Sequence, residues 1–224
     1  MELPVAVVFD AYGTLLDVHS AMQRHAARLG DGWEALSAAW RNKQLEYSWI
    51  RSLTGPVPHR NFAQLTDAAL HFVAERAGIR DAPLLADLRH AYRALNAYPE
   101  VPAMLLALRE QGIATAILSN GESQMLEQGV AAAGIDTLLD AVLSVEQVGV
   151  FKPDPRVYAL AIKRFGGDVS KLVFVSSNAW DAFAAHANGF RVIWVNRSGQ
   201  PDEYDLRAHA TELLNLTSLP AVLT

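Results

Sequence analysis

The chain has 224 residues, 51% hydrophobic and 19% charged, with a formal net charge of −5. That size allows one generous core, or a core with an inserted unit, and that composition excludes a disordered chain. The mildly acidic balance lacks any run of like charges, which argues against nucleic acid or an anionic membrane as partner, and the absence of cysteine excludes disulfide and thiolate chemistry.

The first β-branched run, Val5–Phe9, predicts a buried strand, with no basic segment or cleavage site ahead of it. No apolar stretch approaches the roughly 20 residues that span a bilayer, so a soluble cytoplasmic protein is expected. From about Val18 to Tyr98 no strand pattern occurs. Helical spacing appears instead over Ala21–Leu29, Trp33–Arg51, Phe62–Ala77 and Pro83–Leu95. In the second of these, Trp33, Leu36, Trp40, Lys43 and Tyr47 share a face. Thr54-Gly55-Pro56-Val57-Pro58 predicts a turn, and Tyr98-Pro99-Glu100-Val101-Pro102 a return hinge.

Beyond the hinge, strands and helices alternate. Helix candidates are Val101–Gln111, Glu122–Ala133, Pro155–Phe165 and Asp181–Asn188. Strand candidates are Ala114–Ser119, the weaker Ala141–Ser144, Leu172–Val175 and Val192–Val195. Gly112, Gly134 and Gly189 stand where helices end, and Pro155 where one begins. The expected fold is therefore α/β: a Rossmann-like parallel-sheet core, residues 1–17 and 99–224, with an inserted α-helical cap, residues 18–98.

Four polar clusters fall at the carboxyl ends of predicted core strands, where open parallel sheets build their sites. They are Asp10 with Thr14, Ser119-Asn120-Gly121, Lys152, and Ser176-Ser177-Asn178 with Asp181. A single strand-end hydroxyl is as readily a helix cap, but four clusters in step are not explained that way. Asp10 is a competent carboxylate nucleophile. Lys152, before the stiff Pro153-Asp154-Pro155 turn, suits a bound anion and would keep Asp10 ionised and pair with Asp181. Asp181 also suits the first turn of a helix on dipole grounds. Tyr158, one turn into the next helix, either donates toward Asp10 or Lys152 or simply covers the sheet. Asn178 and Ser176 could orient water or Lys152. Thr14 and Ser119 could bond the Asp10 carboxylate or a substrate carboxylate, beside an anion cradle of backbone N–H groups at Asn120-Gly121. The seven histidines show no metal-ligand spacing, and no nucleophile elbow, phosphate loop or dinucleotide glycine pattern occurs.

The order Asp-x-x-Gly-Thr, Ser-Asn-Gly, Lys-Pro-Asp-Pro and a final Asp resembles the haloacid dehalogenase superfamily. Three blocks resemble its L-2-haloacid dehalogenase branch: Phe9-Asp10-Ala11-Tyr12-Gly13-Thr14, Trp40-Arg41-Asn42-Lys43-Gln44-Leu45-Glu46-Tyr47, and Phe174-Val175-Ser176-Ser177-Asn178-Ala179-Trp180-Asp181. The resemblance implies displacement of halide from a short L-2-haloalkanoate by Asp10, with inversion, then hydrolysis of the Asp10 ester to a D-2-hydroxy acid. It implies a substrate carboxylate near Ser119 and Asn120. Arg41 would descend from the cap toward the departing halide, and Tyr12, Leu45, Phe62 and Trp180 would form an apolar wall. It also implies a homodimer. Water activation would involve Asp181 with Lys152 or Asn178, which sequence does not rank.

Phosphatases of the superfamily carry a second Asp where Tyr12 stands, and another acid where Ser177 stands. An alkoxide leaving group needs that proton donor and a halide does not. With Tyr12 and Ser177 in place only Asp10 and Asp181 remain as carboxylates for a hard dication, so no metal and no cofactor are expected. A superfamily phosphatase acting on a small phosphomonoester is the alternative, and a non-catalytic binding protein on the same fold the third reading.

Overall fold

The computed structural model describes residues 3–54 and 61–224. The predicted turn after Thr54 lies outside the described residues. In chain order, β1 (Ala6–Phe9) leads into α1 (Ser20–Gln23), α2 (Ala26–Leu29), α3 (Trp33–Leu53), α4 (Phe62–Arg76) and α5 (Ala82–Tyr92). Then come α6 (Val101–Glu110), β2 (Ala114–Ser119), α7 (Ser123–Ala132), β3 (Ala141–Ser144) and α8 (Pro155–Arg164). The chain closes with β4 (Leu172–Ser176), α9 (Ala179–Ala187), β5 (Arg191–Val195), α10 (Leu206–His209), β6 (Ala210–Leu213) and α11 (Leu219–Leu223).

The strands form one sheet in the order β3-β2-β1-β4-β5-β6, parallel at every pairing. All four residues of β1 are fully buried, as an unbroken β-branched and aromatic run covered on both faces requires. Chain order reverses at β1, between β2 and β4, so the crevice at its carboxyl end is where a ligand is expected.

Two sequence expectations need correction. The helix predicted over Ala21–Leu29 is two short helices, because His25 leaves helical dihedrals (φ −115°, ψ 15°) and the Arg24 guanidinium reaches Asn96 on the returning chain. The sheet also has a sixth strand, β6. Its Ala-Thr-Glu-Leu sequence is too short and too polar to read as a strand, and its pairing with β5 supplies what local preference lacks.

The helices between β1 and α6 carry their own apolar contacts, with Trp40, Phe62, Leu65, Leu70, Leu88 and Tyr92 almost wholly buried. Asn61 caps α4 reciprocally with Gln64, and Asp81 caps α5 through Leu84 N–H. The outgoing and returning chains pair where they pass. Asp17 N–H donates to Asn96 O at 2.8 Å and Tyr98 N–H to Leu15 O at 3.0 Å. Arg197, just past β5, braces this crossing. It pairs with Glu100 at 2.7 Å, donates to Thr14 O at 2.9 Å and lies 3.7 Å over the Tyr98 ring.

Candidate active site

Asp10 follows β1 directly, and its N–H still bonds Val175 O on β4 at 2.9 Å, so its backbone is held by the sheet. The chain then turns sharply at Gly13 (φ 90°), a conformation that favours glycine. The turn brings Thr14 back, and its hydroxyl donates to Asp10 Oδ2 at 3.2 Å while accepting Ser177 N–H at 2.9 Å.

Lys152 is 1% exposed, and its ammonium sits between two carboxylates, 3.0 Å from Asp10 Oδ1 and 2.8 Å from Asp181 Oδ2. It also lies 5.0 Å from the Phe174 ring centre. Its backbone N–H donates to Asn120 Oδ1 at 2.8 Å, which fixes the lysine loop to the end of β2. Burial alone would lower the Lys152 pKa, but the two carboxylates outweigh it and hold the ammonium above the usual lysine value.

Asp181, in the first turn of α9, is fully buried and takes three hydrogen bonds. They come from Lys152 and from Ser176 Oγ at 3.1 Å on Oδ2, and from Tyr158 hydroxyl at 2.6 Å on Oδ1. Burial raises its pKa and Asp10 adds repulsion, while Lys152 and Tyr158 pull the other way without cancelling this. One ammonium cannot fully compensate two buried carboxylates. Tyr158 thus grips Asp181, not the Asp10 or Lys152 considered from sequence, because the helix turn after Pro155 directs it to α9. Burial, then the Asp181 charge, pushes its own phenol well above the ordinary range.

Asn178 leaves its helix uncapped and spends its amide on the site. Its Nδ2 donates to Asp10 Oδ2 at 2.8 Å and to Tyr12 O at 3.2 Å. From the opposite side Arg41 on α3 reaches the same Tyr12 carbonyl at 3.2 Å. No carboxylate of the described residues lies within ion-pair distance of Arg41, so its charge is available to an anion. A buried Gln44 holds it in place, accepting Arg41 Nη1 at 2.7 Å and the Tyr92 hydroxyl at 3.0 Å. Gln44 and Tyr92 are site-supporting residues that periodicity did not reveal.

The apolar wall divides into two parts. Leu45 and Trp180 line a cleft of about 540 Å³ that also contains Arg41, Trp49, Asn178 and Arg197. Tyr12 and Phe62 are buried behind it, ring centres 5.6 Å apart, with Tyr92 at 5.9 Å from Tyr12. Burial first, then Tyr92, pushes the Tyr12 phenol well above its usual pKa, so it stays protonated at neutral pH. Ser119 is buried at the end of β2, but its Oγ accepts Gly121 N–H at 3.1 Å. That N–H is therefore not free for the anion cradle expected there. Gly121 itself is required for space: a Cβ would stand 2.9 Å from the Tyr12 hydroxyl and 2.8 Å from Leu126.

A divalent cation fits this donor set poorly. The acceptors it would need, both Asp10 oxygens and Tyr12 O, already face N–H or O–H donors from Lys152, Asn178, Arg41 and Thr14. Among the described residues no three His, Cys, Asp or Glu side chains converge to hold a metal ion.

A parallel sheet that delivers a carboxylate, an ammonium and a second carboxylate to one crevice defines a Rossmann-like α/β core with a carboxylate–lysine site at its strand ends. The model of the haloacid dehalogenase-like hydrolases matches residues 5–189, and the chain belongs to that family. It is 44% identical over 97% of its length to (S)-2-haloacid dehalogenase 1 of Pseudomonas sp. (strain CBS-3), covering 96% of that protein. It superposes on a dehalogenase with intermediate complex at TM-score 0.95 and 42% identity, over 99% of this chain and 98% of that one. The L-2-haloacid dehalogenase of Xanthobacter autotrophicus with chloropropionic acid covalently bound matches at TM-score 0.89 and 35% identity, with 99% and 98% covered.

Proposed function

We propose that this hydrolase acts on carbon–halide bonds as an (S)-2-haloacid dehalogenase, converting short L-2-haloalkanoates to D-2-hydroxy acids and halide. One observation supports this most: N–H donors of Lys152 and Asn178 occupy the Asp10 oxygens, and Arg41 the neighbouring Tyr12 carbonyl, where a phosphatase would place an acid and a metal. In the first step an Asp10 oxygen bonds to C2 from behind the halogen, the C2–halogen bond breaks, and its electron pair departs with the halide. Lys152, Thr14 and Asn178 orient the carboxylate, and Arg41 draws the halide. Halide needs no proton, so Tyr12 costs the step nothing.

The second step is attack of water on Cγ of Asp10. The tetrahedral carbon collapses, the bond from Cγ to the substrate-bound oxygen breaks, that oxygen leaves with a proton returned from Asp181, and the hydroxy acid departs with Asp10 restored as the remaining water proton goes to solvent. The water proton passes toward Asp181, whose burial raises its affinity for a proton, while Ser176, Tyr158 and Lys152 hold that carboxylate. Ser119 and Asn120 face the substrate carboxylate at the end of β2. Residues 18–98 act as a cap over this crevice, with Leu45, Trp180 and, behind them, Tyr12 and Phe62 excluding water from the reacting carbon.

Halide release from separate enantiomers of 2-chloropropionate in EDTA tests the reading. Release from the L-enantiomer alone is expected, and Mg²⁺-dependent turnover of a phosphomonoester instead would overturn it. We place the protein in the cytoplasm as a homodimer. Among the described residues no helix is long and apolar enough to cross a membrane. Ile50 and Phe72 of α3 and α4 leave apolar surface for a second copy. A sedimentation mass near 24.4 kDa, one chain, would contradict the dimer, and recovery in the membrane fraction the location.

A further inference from the structure

Helix α3 presents Arg41, Leu45 and Trp49 at intervals of four, so they line one face along the crevice. Its far end is tied to the lysine loop, where Phe151 N–H donates to Ser52 Oγ at 3.0 Å. Trp49 meets Trp180 edge to face, ring centres 5.4 Å apart at 82°. Both indoles line the 540 Å³ cleft that holds Arg41 and Asn178, and both line a second, apolar groove of about 550 Å³. That groove runs along Pro153, Asp154 and Pro155, directly after Lys152, to Leu53 and Tyr204 at its outer rim. The two spaces are neighbours with the tryptophan pair as their common wall. The Trp49 indole N–H is buried with no partner among the described residues, so packing alone holds this ring in the wall.

We propose that the Trp49–Trp180 pair sets the chain-length limit of the acyl substrate, closing the cleft lined by Arg41 and Asn178, the latter bonded to Asp10, against a groove that otherwise receives the tail of a longer 2-haloalkanoate. The proposal rests on the dehalogenase reading above and names the specificity determinant of that site. A tail longer than a few carbons meets the indole faces. Removing one indole joins the two spaces, and each methylene then admitted gains apolar contact. The expected gain is large enough to measure, since one methylene in an apolar pocket alters discrimination roughly tenfold or more.

The test compares kcat/KM for bromide release from L-2-bromopropionate and L-2-bromohexanoate, which share a leaving group. The wild-type chain favours propionate, and Trp49→Ala moves the ratio toward hexanoate by about tenfold or more. Leu53, 81% exposed at the outer rim, is replaced by Trp in that background to refill the groove, which reverses most of the gain. If circular dichroism shows Trp49→Ala unfolded, Trp49→Phe gives a smaller shift of the same sign. An unchanged ratio, with propionate still turned over, overturns the proposal, as does a gain that Leu53→Trp leaves intact. Failure of the wild-type chain to release bromide from either acid refutes the dehalogenase reading itself and the proposal with it.

Discussion

Each polar atom around Asp10 has a task that its neighbours make legible. Asp10 Oδ2 takes Thr14 and Asn178, Oδ1 takes Lys152, and Lys152 is shared with Asp181. Tyr158 is the residue whose removal separates positioning from chemistry. Its hydroxyl stabilises the ionised form of Asp181, so Tyr158→Phe raises the Asp181 pKa further. If Asp181 must be ionised to take the water proton, the acid limb of the kcat profile moves to higher pH in that variant. Halide release measured across the acid range checks this, and an acid limb that stays in place would contradict the assignment of Asp181. Asp10, Ser119, Asn120, Ser176 and Asn178 were legible in sequence because they fall at the ends of strands, and a parallel sheet brings strand ends together, whereas Arg41, Leu45 and Phe62 on the inserted helices were legible only through the family resemblance. The partner of Tyr158 was not, because a hydroxyl on one helix and a carboxylate on another meet only through the packing of α8 and α9.

Among the elements, α3 shows where periodicity stops informing. Its buried residues are Ser37, Trp40, Gln44, Leu45 and Ser48, so much of the covered face is polar. Apolar spacing finds Trp40 but not Gln44, whose partners Thr66 and Tyr92 lie on α4 and α5. Burying a glutamine is tolerable only when its amide is fully bonded. Gln44→Ala strips the acceptor from Arg41 and from the Tyr92 hydroxyl, at a cost of about 1–3 kcal/mol in stability. Urea unfolding reads that cost, and KM for 2-chloropropionate rises as Arg41 loses its support. Unchanged KM together with unchanged stability would remove Gln44 from the account. Strand β6 and the break at His25 were illegible for a related reason: an edge pairing with β5 and a reach to Asn96 are decisions of the tertiary fold, not of local sequence.

The molecule as a whole carries a buried cation between two buried carboxylates, an arrangement useful for chemistry and expensive for stability. The folded-state pKa of Lys152 is raised, so its stabilising contribution is complete below its unfolded value, about 10.4, and is lost as pH climbs through the folded value. Asp181 is raised as well, so ionising it works against the fold as pH rises from the ordinary carboxylate range through its folded value. Lys152→Met leaves Asp10 and Asp181 buried and unpaired, which destabilises the chain by about 3–5 kcal/mol near neutral pH. Part of that loss returns in acid, where Asp181 protonates more readily than in the unfolded chain. Urea midpoints at pH 8 and pH 5 test this, and a variant as stable as the wild-type chain at pH 8 would show that Lys152 is not the counter-charge of the core.

The central claim is that Asp10 bonds to the substrate before water does. A single turnover in H₂¹⁸O, with enzyme in excess over L-2-chloropropionate, tests it directly. Mass spectrometry of the peptide containing Asp10 and of the lactate locates the label. The expected result is ¹⁸O in the Asp10 carboxylate and unlabelled D-lactate, because water attacks Cγ and the product keeps an aspartate oxygen. Label in the lactate and none in Asp10 would mean that water displaces the halide directly and that no ester forms.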